Sequence, residues 1–99
     1  MSTVHLGLLR IVLHLPESGS LKSKRRVVSS LVRRLRSEFG VAAAEVGELD
    51  RWQLAELAVA CLSADARHTS SILASAATYV EARSGDAVVA SLSTELITL

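Results

Sequence analysis

From Val4 to Leu15 apolar and polar positions repeat with a period of two. Leu9, Ile11, Leu13 and Leu15 share one side, and Leu8, Arg10, Val12 and His14 share the other. That alternation predicts a strand with one dry face and one half-polar face. Pro16 to Ser20 are turn formers, and Ser20 is placed to cap a helix that starts at Leu21. From Leu21 the period changes to that of a helix. Leu21, Val28, Leu31, Val32, Leu35 and Phe39 form one stripe, and Gly40 supplies a stop. Val41 to Val46 reads as a short, alanine-rich strand, followed by a turn over residues 47–51. Trp52 to Leu62 is the next strand, with Ala55, Leu57, Val59 and Cys61 facing away from Trp52, Leu54, Glu56, Ala58, Ala60 and Leu62. Asp65 caps a second helix whose inner stripe is Thr69, Ile72, Leu73, Ala76 and Val80, and Ser84-Gly85-Asp86 breaks it. In the closing β-prone run, residues 87–99, Val88, Ala90, Leu92, Thr94 and Leu96 alternate with Val89, Ser91, Ser93, Glu95 and Ile97.

The order β-α-β-β-α-β in 99 residues predicts one domain, residues 1–99, of the α+β class. Each β-α-β half calls for a right-handed crossover to a parallel strand, with a gap into which the third strand inserts beside the first. The result is a ferredoxin-like sandwich, a four-stranded antiparallel sheet with two helices on one face. The other face is left open. Leu6, Leu8, Val12, Leu54, Ala58, Ala60 and Leu62 would make it an apolar surface that monomers rarely expose, so a homo-oligomer or a docked protein is expected there. Arg10 and Glu56 are expected to pair across strands on that face. The plain alternative is a monomer with scattered surface leucines. Whether Glu45 joins that pair depends on the register of the second strand, which the pattern leaves open.

Composition removes several classes. At 49% hydrophobic residues and a net charge of +1, the chain does not resemble a disordered one. A single cysteine, Cys61, excludes a disulfide scaffold, and a cytoplasmic setting is expected. His5, Arg10 and His14 interrupt the longest apolar stretch, so no membrane partner is expected. Near-neutrality conceals an asymmetric layout. Lys22, Lys24, Arg25, Arg26, Arg33, Arg34 and Arg36 are seven of the eleven basic residues, and no acid separates them. At 3.6 residues per turn Lys22, Arg25, Arg26, Arg33 and Arg36 share an arc of about 100° opposite the apolar stripe. Arg34 falls on the flank, and Lys24 lies nearer the core edge, expected to snorkel outward.

Cations in a first helical turn oppose the helix dipole, and like charges three or four residues apart repel. An anionic partner offsets both costs. Lys22, Lys24, Arg25, Arg26, Arg33 and Arg36, with the free N–H groups after Ser20, are therefore expected to hold phosphate or carboxylate. The alternatives are a solvated basic face, or an acid of the same chain, for which Glu17 is the nearest candidate.

Catalytic signals are weak, and no catalytic residue, metal or cofactor is expected. Cys61 falls on the core face, as a structural thiol would. His5, His14 and His68 lack metal-ligand spacing. Neither a phosphate loop nor a dinucleotide glycine pattern occurs. Phe39, Trp52 and Tyr79 are the only aromatics, which argues against bases stacking on the sheet. Trp52 is read as a packing residue at a strand end.

Gly7-x-Leu9-x-Ile11-x-Leu13, followed by Ser20-Leu21-Lys22-Ser23-Lys24-Arg25, resembles the YlxP-like family of small bacterial proteins. Ala44-Glu45-Val46, Asp50-Arg51-Trp52-Gln53 and Ser63-Ala64-Asp65 carry the likeness along most of the chain, and it weakens after Tyr79. The resemblance implies a ferredoxin-like fold and a domain of unknown function. The family's genes often neighbour those of translation initiation factor two and ribosome-binding factor A, which hints at ribosome or RNA work. It supplies no catalytic residue. The combined expectation is a non-catalytic binding module whose basic first helix contacts RNA or a ribosomal subunit. The alternative is a homo-oligomeric structural or regulatory protein without nucleic acid that binds a small anion.

Overall fold

The structure, a computed structural model, describes residues 2–99. Six elements occur in the expected order: β1 (His5–His14), α1 (Leu21–Phe39), β2 (Ala42–Gly47), β3 (Leu54–Ser63), α2 (Ala66–Arg83) and β4 (Val88–Thr98). The sheet runs β2-β3-β1-β4 with every neighbouring pair antiparallel. Both crossovers skip one strand, and the fold is ferredoxin-like.

The core lies between the sheet and the two helices. Leu9, Ile11 and Leu13 of β1 and Ala55, Leu57 and Val59 of β3 point into it. Val28, Leu31, Val32 and Leu35 meet them from α1, and Leu73, Ala76 and Val80 from α2. These are the positions picked out by the two periodicities, so burial of one face of each element accounts for the layering. Gly7 is the close-approach point of α2. A Cβ there would lie 2.7 Å from both Leu73 Cδ1 and Thr69 Cγ2.

Two differences from the sequence pattern have local causes. The ladder between β1 and β4 shifts between Val12 and Leu13, which face Ser91 and Val89. The extra residue, Ala90, changes the parity of the strand's beginning. Val89, Leu92, Thr94 and Leu96 therefore lie on the helix side, and Val88 crosses to the open side. In addition, β3 starts at Leu54, so Trp52 belongs to the preceding turn and is 54% exposed. It does not pack at a strand end as the pattern predicts.

Candidate functional site

Ser20 is extended (φ −164°, ψ 162°), and its Oγ accepts a hydrogen bond of 3.0 Å from Ser23 N at the start of α1. The first turn holds no acid. At the other end Gly40, at φ 60°, donates its N–H to Arg36 O at 3.0 Å and closes the helix. Between these caps Lys22, Arg25, Arg26, Arg33 and Arg36 are all exposed, with Arg36 on the flank of α1 beside β2. Among the described residues none of these five has a carboxylate within ion-pair distance; the ion pairs are Arg10–Glu56, Lys24–Glu45 and Arg51–Glu48. Arg36 is partly engaged, donating from Nε and Nη2 to Ala43 O at 3.0 and 2.7 Å. Arg34 is half-buried on the flank.

Lys24 departs from the expectation. Its side chain neither snorkels nor joins the outer arc; the residue is 0% exposed. Its Nζ donates to Glu48 O at 2.7 Å, Leu54 O at 3.1 Å and Leu49 O at 3.4 Å, and lies 2.9 Å from Glu45 Oε2. Three carbonyls use its three protons, so Glu45 Oε2 faces the ammonium as a charge contact without an aligned hydrogen bond. Glu48 sits at φ 60°, which presents its carbonyl in the turn that cradles this ammonium. Lys24 is a structural residue and is withdrawn from the anion-binding set. The helical spacing Lys24, Val28, Leu31, Leu35 placed it on the inner stripe; the residue type concealed that.

Glu45 pairs with Leu57, whose side chain is in the core, and so it faces the helices rather than the open sheet. It lines a shallow groove with Lys22, Arg25 and Arg36. This carboxylate, rather than Glu17, is the internal acid of α1, and its ion pair is with Lys24. On the opposite flank of α1, a cleft of about 470 Å³ runs to the end of α2. Arg26, Arg34 and Arg83 line it, with Ser23, Ser30, Glu17 and Asp86.

The open face of the sheet carries the predicted set. Leu6 opposes Leu62, Leu8 opposes Ala60, Arg10 opposes Ala58, Val12 opposes Glu56, and His14 opposes Leu54. Arg10 and Glu56 approach diagonally to 3.7 Å, across the strands as expected. β4 adds Ser91, Ser93, Glu95 and Ile97 to this face. Its apolar residues fall at two ends, Leu6, Leu8, Leu62 and Ile97 at one and Val12, Leu54 and Val88 at the other, with Leu62 67% and Val88 56% exposed. Among the described residues the strands contribute no Phe, Tyr or Trp to this face; its one ring is the His14 imidazole, beside Leu54 and the exposed Trp52 of the preceding turn. Phe39 and Tyr79 meet edge to face in the helical layer, 5.5 Å apart, with the Arg83 guanidinium 4.6 Å from the Tyr79 ring centre.

Cys61 packs at the edge of the core, its Sγ 3.8 Å from Thr69 O, and burial pushes its thiol pKa up. His5 and His14 stand at opposite ends of β1, and His68 is in the first turn of α2. Among the described residues no helix is long and apolar enough to cross a membrane.

Comparison with known proteins places this geometry among relatives. The model of the family described as protein of unknown function DUF503 matches residues 6–94. A protein of Bacillus subtilis (strain 168), described as uncharacterized protein YlxP, is 29% identical over 65 residues, covering 66% of this chain and 71% of that one. Among solved structures, the de novo designed protein Foldit4 superposes with a TM-score of 0.52 at 12% identity, over 97% of this chain and 96% of its own. That likeness concerns the fold alone.

Proposed function

The chain belongs to the DUF503 family, and we propose that it is a non-catalytic module that binds the phosphate backbone of RNA through α1. The observation that carries this reading is the outward arc of Lys22, Arg25, Arg26 and Arg33. These four cations are exposed, lack carboxylate partners among the described residues, and begin at a helix end that disfavours positive charge. Guanidinium groups donate two parallel hydrogen bonds to phosphate oxygens, and an exposed helix face can follow a phosphate backbone. Arg36 contributes its three remaining N–H donors at the edge of the arc.

Among the described residues the open-face strands carry no Phe, Tyr or Trp, so the usual base-stacking platform of this architecture is lacking along the sheet and binding is led by backbone charge with little sequence preference. Folded RNA, such as that of a ribosomal subunit, fits such a reader. The test is fluorescence anisotropy with a labelled mixed-sequence RNA at low salt, beside co-sedimentation with ribosomal subunits. The native chain binds in both assays, and the variant Arg25→Ser/Arg26→Ser/Arg33→Ser loses most of that binding. Equal binding by the two proteins, or none by the native chain, contradicts the proposal.

A second reading is favoured by the cleft between α1 and α2. Three arginines, Arg26, Arg34 and Arg83, converge there beside serine hydroxyls, which suits a small phosphate or carboxylate compound. Glu17 and Asp86 line the same cleft and reduce its positive charge, so the exposed arc is the stronger anion site. Inorganic phosphate protecting the chain from thermal unfolding, with the protection lost in Arg34→Ser, would favour this reading over RNA.

A further inference from the structure

The two edges of the sheet differ in how they are finished. On β2 the Arg36 guanidinium donates to Ala43 O, and a bulge at Val46 ends the regular ladder after four paired residues. The β4 edge, eleven residues long, has no such cover. Apart from Val89 its residues are exposed, Glu95 is its one charge, and it contains neither lysine nor proline. Natural sheets rarely leave a long apolar edge in this condition, because its unpaired N–H and C=O groups template another strand.

The orientation of those groups is set by the ladder. Val4 and Leu99 exchange both backbone hydrogen bonds, at 2.8 and 2.9 Å. Alternation along an antiparallel pair then turns the amides of Thr98, Leu96, Thr94 and Leu92 toward the free edge. The side chains of the same four residues stand on the helix side, opposite His5, Gly7, Leu9 and Ile11. Leu92 and Leu96 are nevertheless 38% and 48% exposed, while α2 makes its close approach over Gly7 of β1.

We infer that β4 pairs antiparallel with β4 of a second copy, around a two-fold axis at Thr94. A second copy suits this edge because the strand is self-complementary in that register. With Thr94 on the axis, Leu92 faces the partner's Leu96 and Leu96 the partner's Leu92, so the four exposed leucines form two cross-strand pairs, one on each side of the central threonines. Glu95 faces the partner's Ser93. Moving the axis to Glu95 sets two carboxylates directly opposite each other, which is unfavourable. Moving it to Ser93 sets each Leu92 against threonine. The pairing makes one eight-stranded sheet and buries both β4 edges, leaving the Arg36-capped edges outermost.

The test begins with molar mass by light scattering. The native chain is expected at twice its 10.5 kDa. Leu96→Lys, at a position already half exposed, is expected to fold and to run at the mass of one chain. Leu8→Glu on the open face is expected to leave the dimer intact. In a Cys61→Ser background, Thr94→Cys is expected to form an interchain disulfide on oxidation, because paired residues on the axis bring their Cα atoms to about 5.5 Å. Ser93→Cys is not, since two such residues would lie about 8 Å apart. A native chain that stays monomeric at every concentration overturns the inference. So does a dimer that survives Leu96→Lys and dissolves with Leu8→Glu, which would place the contact on the open face. A disulfide at position 93 or 95 in place of 94 overturns the register.

Discussion

Lys24 occupies the place where a leucine would complete the inner stripe of α1, and the fold receives its charge with three carbonyls and one carboxylate. Taking one partner out of a buried ion pair leaves the rest desolvated and uncompensated. Lys24→Met is therefore expected to lower stability by about 3 kcal/mol in urea unfolding. Lys22→Met, on the exposed arc, is expected to change it by less than about 0.5 kcal/mol. Equal effects would mean that the cradle around Lys24 is not structural. The position of Lys24 on the stripe was legible in the sequence. Its partners were not, because the carbonyls of Glu48, Leu49 and Leu54 come from a distant turn that no local pattern connects to α1. Cys61 was legible as a core-side thiol. Burial raises its pKa, so little thiolate forms at neutral pH, and alkylation of the native chain by iodoacetamide is expected to be slower than that of the urea-unfolded chain. Comparable rates would contradict this placement.

At the scale of elements, α1 was read with the limits that it has, because Ser20 and Gly40 mark both ends chemically. For β4 the alternating run over residues 87–99 brackets the strand Val88–Thr98 but predicts the wrong parity at its start. A bulge inserts a residue without any mark in an alternating run of Val, Ala, Ser and Leu. The facing of Glu45 also needed the register of β2, which alanines on both sides of that strand leave unmarked. Gly7 locates α2 over the sheet. Gly7→Ala forces its methyl against Leu73 and Thr69 and is expected to cost about 1–3 kcal/mol, read by urea or thermal unfolding. No loss would show that α2 can lift from β1 freely. The basic arc gives the opposite sign. Arg25→Gln/Arg26→Gln relieves repulsion near the start of α1 and is expected to leave the unfolding free energy unchanged or raise it by about a few tenths of a kcal/mol per site, read by urea unfolding. A marked drop would mean that these arginines serve the fold.

For the whole molecule, the order of elements was enough to give the sheet β2-β3-β1-β4, since short crossovers of fixed hand leave few other arrangements. The condition of its two edges was not legible, because it depends on Arg36 folding onto β2 and on how far α2 reaches over β4. The dimer inferred through β4 keeps the helix sides of both sheets on one face, so it would present two basic helices to the same ligand. If α1 meets phosphate, the affinity for RNA must fall steeply with salt. Four phosphate contacts to a single strand predict a slope of about −3 in log K against log salt for each α1 engaged. Replacing Arg25, Arg26 and Arg33 by serine is predicted to flatten that slope by about 2. The same slope in native and variant chains would contradict the account.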